Sequence, residues 1–189
     1  PILSTMLDNS RASLADLILR EMTHGHVYVS GRGDFNESLA SFVGRQGSLD
    51  YFRIRNGERS EAYQRAIERF ADEERFDSFL LALYNELDTY YKSSPENVIK
   101  GREEIFRRAK KDFLSWRDEL NSIRYDWFLK IPLNNSTILS RRRYGRTALF
   151  QKVFEDVGGD WGMFWKRIRS AAESMKDQDA HAQGLFEQK

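Results

Sequence analysis

Apolar residues recur at intervals of three and four along most of this chain, the period of helices that bury one face. Leu14, Leu17, Ile18 and Met22 predict a first helix, with Ser10 as its N-cap and Gly25 at its end. His26-Val27-Tyr28-Val29 is short and β-like, and Ser30-Gly31-Arg32-Gly33 reads as a turn. Asp34 is placed to cap a second helix, striped by Phe35, Leu39, Phe42 and Val43 and ended by Gly47; a short helix near residues 50–55 follows. Two long periodic runs come next. One spans residues 60–91, with Tyr63, Ile67, Phe70, Phe79, Leu83, Leu87 and Tyr90, and Ser93-Ser94-Pro95 breaks it. The other spans residues 96–124, with Ile99, Phe106, Ala109, Leu120 and Ile123. Together they predict a long antiparallel helical hairpin. Ile131-Pro132-Leu133-Asn134-Asn135 is a loop, followed by short helices at 137–142 and 147–156 and a last one from Trp161 to Met175. The fold class is therefore mainly α. Residues 1–175 form one helical segment, and the polar residues 176–189 are expected to be a disordered tail.

Composition narrows the chemistry. A chain of 189 residues can bury a core. Its 30 basic and 29 acidic residues leave a net charge of +1, so no overall field draws nucleic acid. Cysteine is absent, which excludes thiolate metal sites and leaves His, Asp and Glu as ligands. The only histidines are His24, His26 and His181. No apolar run reaches the ~18 residues of a membrane-spanning helix. The chain opens at Pro1, nearly inside a helical pattern, and reads as a segment whose upstream part would carry any signal or lipid anchor.

The informative stretch is Arg20-Glu21-Met22-Thr23-His24, followed by Asn36-Glu37-Ser38-Leu39-Ala40. A zinc hydrolase of the H-E-x-x-H kind needs two imidazoles on one helix face, hence the four-residue spacing, and a glutamate that takes a proton from metal-bound water. Glu21 and His24 stand as that pattern requires; Arg20 occupies the place of its first histidine. Around Glu37, the residues Ala40, Ser41 and Gly44 are small, which permits a neighbouring helix to approach closely. A second reading of Glu37 is local: Asp34 and Glu37 have the spacing of a helix capping box.

These residues carry a resemblance to a bacterial family of zinc aminopeptidases of the gluzincin type. Asn36-Glu37-Ser38-Leu39-Ala40 resembles the family's third-ligand helix, and Pro1-Ile2-Leu3-Ser4-Thr5-Met6-Leu7 the stretch before its zinc helix. Val27-Tyr28-Val29 resembles its tyrosine-containing turn, and Pro132-Leu133-Asn134-Asn135 with Leu139 and Tyr144 a later motif. The resemblance covers roughly the first 175 residues. It implies the helical half of a zincin-like metallopeptidase, the family's N-terminal half lying outside this chain. It further implies Zn²⁺ as cofactor, peptide as substrate, and a location in the bacterial cell envelope or periplasm. His24 and Glu37 would be metal ligands, Glu21 the general base, Tyr144 a donor to the developing oxyanion, and Asn134 and Asn135 substrate contacts. With a strand-bearing half absent, an apolar groove is expected beside Val27-Tyr28-Val29.

Arg20 is the departure. A guanidinium has five donors and no acceptor, so it gives Zn²⁺ no lone pair and opposes it with a positive charge. Arg20 is expected either to pair with Glu37 or Glu21 in the space of the ion, or to extend into solvent. His26 is weighed as a replacement ligand. The rival to a peptidase is therefore a catalytically inactive helical scaffold or interaction module, in which an Arg20–carboxylate pair replaces the metal. If Glu37 and His24 belong to one centre, they must lie within ~8 Å of each other.

Overall fold

The periodic runs become helices in the computed structural model, which describes residues 10–93, 96–141 and 147–187. The helices are α1 (Arg11–His26), α2 (Gly33–Asn56), α3 (Glu61–Lys92), α4 (Val98–Trp116), α5 (Trp127–Lys130), α6 (Asn135–Arg141), α7 (Thr147–Asp156) and α8 (Trp161–Glu187). A 3-10 turn, Arg117–Glu119, follows α4. No strand occurs among the described residues, and the fold is mainly α. The chain divides into two compact units, one of residues 1–51 and 146–189, the other of residues 52–145.

The first unit is built on α1, most of α2, α7 and α8. Ser10 caps α1 as expected, its hydroxyl accepting from the Ser13 N–H at 3.2 Å. Two boundaries differ from the sequence expectation. The first helix runs through Gly25 to His26, and α2 starts before Asp34 and runs unbroken through Gly47. Neither Gly25 nor Gly47 needs a left-handed backbone here. Val27, Val29, Leu39, Phe42 and Val43 pack with Phe150, Phe154, Phe164, Ile168 and Ala172 to form this unit's core. The two valines are thus covered by the chain's own α2, α7 and α8, so the groove expected beside them is closed on that side. Tyr28 between them stays 59% exposed. The last helix spans Trp161–Glu187, beyond the end at Met175 read from the sequence.

The second unit contains the α3–α4 hairpin. Phe76, Leu80, Leu83 and Leu87 of α3 meet Ile105, Phe106, Ala109 and Phe113 of α4 in one core. At the turn end, the Tyr90 hydroxyl donates to the Asn97 carbonyl at 2.9 Å. At the other end, helix α4 stops well short of the expected residue 124, and Asp72 accounts for the difference. Its buried carboxylate accepts backbone N–H bonds from Asn121 at 3.1 Å, Ser122 at 2.5 Å and Ile123 at 3.0 Å. Those donors are therefore unavailable to a continuing helix. Just beyond, Tyr125 has φ 47°, a left-handed backbone uncommon for a bulky residue. Its ring is held flat on Phe76, with centroids 3.9 Å apart. Burial, with the Glu73 and Asp77 carboxylates nearby, pushes its phenol well above the ordinary tyrosine range.

The Asp72 capture gives a direct test. Asp72→Ala leaves three backbone donors without their acceptor, and bonds to a charged group contribute about 1.5–3 kcal/mol each. Urea denaturation of the variant is expected to show a stability loss of about 3 kcal/mol or more. A loss below ~1 kcal/mol would mean that water replaces the carboxylate freely.

Candidate functional site

The site residues on α1 and α2 are brought together by an antiparallel seam between the two helices. Gly44 and Gly47 make it possible. A Cβ at Gly44 would lie 2.6 Å from Arg20 Cγ and 2.9 Å from the Asp16 backbone oxygen, and one at Gly47 would lie 3.0 Å from Leu19 Cδ1. Gly47, expected to end the helix, instead admits Leu19. Ser41 turns its hydroxyl back onto the Glu37 carbonyl at 2.7 Å, and Thr23 does the same to Leu19 at 2.7 Å. Each small polar residue satisfies itself within its own helix.

Across this seam His24 Nε2 lies 3.9 Å from Glu37 Oε1. That is well inside the separation a shared centre requires. Glu37 is not the capping residue that Asp34 would demand, because α2 begins one residue before Asp34. Arg20 lies one turn before His24 with its stem against Gly44. One of its partners is Asp16, with Arg20 Nη1 3.9 Å from Asp16 Oδ2. Nothing in the sequence had singled out Asp16; its position one turn before Arg20 was the available signal. The side chains of Asp16, Arg20, His24 and Glu37 are 19%, 24%, 28% and 34% exposed, so all four line a half-buried seam. Arg20 does not extend freely into solvent. Glu21, the next residue, is exposed.

The loop between the helices is fixed by Asn36, which is almost fully buried. Its Oδ1 accepts from the Val29 N–H at 2.9 Å, and its Nδ2 donates to the Val29 carbonyl at 2.7 Å. One amide thus does for Val29 what a neighbouring strand would do. Val29 thus has both its backbone groups paired without belonging to a sheet, and the bonds anchor the residue just before Glu37. His26, weighed as a spare ligand, packs its ring edge-on to Trp165 of α8 at 4.8 Å.

The remaining candidates lie in the second unit. Asn134 Oδ1 accepts from the Thr137 N–H at 2.9 Å, the bond of a helix cap. Asn135 Oδ1 accepts from the Tyr91 hydroxyl at 3.0 Å. Tyr144 lies outside the described residues. Among the described residues, no group of three or more His, Asp or Glu side chains is arranged to hold a metal ion. His24 and Glu37 supply two donors, and Arg20 cannot supply the third. The residues present therefore do not complete a zinc centre.

The seam makes a contrast testable. Gly44→Ala drives a methyl group into the Asp16 backbone, and overpacking of this kind costs about 1–3 kcal/mol. Gly25→Ala meets nothing within 4 Å in the last turn of α1. It is expected to be neutral or to stabilise by about 0.5 kcal/mol. Thermal denaturation of both variants compares them directly, and equal effects would contradict the close approach.

No curated protein and no solved structure matches the chain. A family model described as "Putative aminopeptidase" matches residues 1–183, nearly the whole length. The chain belongs to that aminopeptidase family.

Proposed function

We propose that the α1–α2 seam is the centre of a zinc-dependent peptidase of the gluzincin type, in which this chain carries an impaired metal site. The observation that carries the reading is the 3.9 Å approach of His24 to Glu37 across two helices, with position 20 one turn before His24. In the complete pattern a histidine at position 20, with His24 and Glu37, would hold Zn²⁺, which when bound supplies a Lewis acid for the scissile carbonyl and for water. Glu21 stands beside position 20 as the proton acceptor for that water, and its exposure leaves it open to substrate. The substrate is a peptide, and the family supports cleavage at its amino end. Asn134, Asn135 and Tyr144 are assigned to substrate contact and oxyanion donation by resemblance alone. The same resemblance supports a bacterial envelope location. No helix among the described residues is long and apolar enough to cross a membrane.

With Arg20 in place the chain's own residues do not complete that metal site. A second reading, a catalytically inactive helical scaffold, is favoured by the Asp16–Arg20 pair, which fills part of the seam with a fixed cation.

Zinc titration by calorimetry separates the two. The chain as it stands is expected to bind Zn²⁺ weakly and to show no appreciable peptidase activity. Arg20→His is expected to raise zinc affinity by at least about 100-fold, since it restores a Zn–N bond and removes a nearby charge. Glu37→Gln in the same background should reverse the gain. Tight stoichiometric zinc in the unaltered chain would show the ligands to be misassigned. No gain from Arg20→His would support the scaffold reading.

A further inference from the structure

We infer that the backbone of Tyr28 is a binding edge for an extended peptide, which pairs with it as an antiparallel strand. The inference deepens the peptidase reading above by saying how a peptide is held. It rests on that reading for the class of ligand and on no metal.

Val27 has an extended backbone, with φ −138° and ψ 121°. Val27 and Val29 are 6% and 1% exposed, while Tyr28 between them is 59% exposed. This alternation is that of a strand with one face on a core. Along a strand, the N–H and C=O groups of alternate residues point to the same edge. Val27 and Val29 therefore share one edge, and Tyr28 presents its backbone groups on the other. The valine edge is occupied. The Val27 N–H donates to the Thr23 carbonyl at 2.9 Å. The Val29 N–H donates to Asn36 Oδ1 at 2.9 Å, and Asn36 Nδ2 donates to the Val29 carbonyl at 2.7 Å. On the other edge, neither the N–H nor the carbonyl of Tyr28 has a hydrogen-bond partner among the described residues.

A donor and an acceptor fixed on one residue are what a residue of a facing antiparallel strand pairs with, through two bonds. Water satisfies such groups singly. A peptide gains over water here because the edge is already ordered: burial of both valines and the Asn36 bonds hold it in place before a ligand arrives, which lowers the cost of strand addition. Asn36 also immediately precedes Glu37, so the residue that holds the edge lies beside one member of the proposed centre. The ligand must be extended where it passes Tyr28 and must carry an N–H there. Its side chain at that point lies on the same face as the Tyr28 ring, and aromatic with β-branched pairs are the favourable ones across a strand pair. A β-branched residue opposite Tyr28 therefore suits the edge, and an N-methylated one does not. Peptide is also the class of ligand that membership of an aminopeptidase family supports.

Amide hydrogen exchange of the full chain, labelled with ¹⁵N and followed by NMR with a chelator present, tests this. The probe is the capped pentapeptide acetyl-Lys-Thr-Val-Thr-Lys-amide at several millimolar; the control is the same peptide with its central valine N-methylated. In the free chain the Tyr28 amide is expected to exchange fast and the Val29 amide slowly. The probe should slow exchange at Tyr28 by about tenfold or more and change Val29 little, and the N-methylated peptide should bind about tenfold more weakly, the scale of one lost hydrogen bond. Tyr28→Ala, with folding verified by circular dichroism, should keep the protection at position 28 and lose the preference for valine over glycine at the centre of the probe. A Tyr28 amide already slow in the free chain overturns the inference, since the edge is then covered. So does a Tyr28 amide that the probe leaves unchanged, equal slowing at Tyr28 and Val29, or equal binding of the two peptides. Because no metal takes part, any of these results leaves the zinc reading to its own titration, and a failed zinc titration leaves the peptide edge standing.

Discussion

At Gly44 the α2 backbone comes so close to α1 that a single added methyl group would meet the Asp16 carbonyl oxygen. Everything chemical in the first unit depends on that approach. Helices separated by ordinary side chains pack with axes 8–10 Å apart, and their surface residues meet mainly through long side chains. Here the small residues of α2 let short groups meet: an imidazole and a carboxylate stand 3.9 Å apart across the seam. Intrahelical bonds satisfy the Ser41 and Thr23 hydroxyls without a partner on the opposing helix. The core of Phe42, Phe154 and Phe164 then fixes the unit from the other side of α2.

The second constraint is the loop that joins the helices. Asn36 gives both its amide atoms to Val29, so the extended residues are tied to the first turn of α2. Buried backbone groups must find partners, and a side-chain amide offers a donor and an acceptor at the spacing a peptide does. The single Asn36 therefore positions an extended segment and the start of the helix that carries Glu37. It links local hydrogen bonding to the chemistry of the seam, since a loosened loop would free the Glu37 end of α2.

Helices were legible because their apolar periods are long and regular, and the α3–α4 hairpin was readable from Phe70 through Ala109 for that reason. The pairing of His24 with Glu37 was legible from their motifs and from the small residues around Glu37. Gly47 was misread because a glycine that ends a helix and one that admits a neighbour look alike in sequence; only Leu19 distinguishes them. The early stop of α4 was hidden in Asp72, which is 49 residues from its first backbone partner. Asn134 was taken as a substrate contact by resemblance, and what the structure gives it is a capping bond to Thr137. Asp16 escaped notice because one carboxylate among 29 acidic residues carries no signal until its neighbours are known.

Charge balance gives a physical account of why arginine can stand at position 20. Asp16 and Glu37 place two carboxylates along one half-buried seam. Both carboxylates are partly shielded from water, where an uncompensated charge is costly. Arginine brings a permanent positive charge that offsets one of them, and its long stem fits along Gly44, where a bulkier neighbour on α2 would leave no room. A neutral residue of similar size would fill the space and give Asp16 no such cation. Arginine at position 20 thus supplies its own permanent cation to the seam, and the helix pair of the first unit is held without a bound ion.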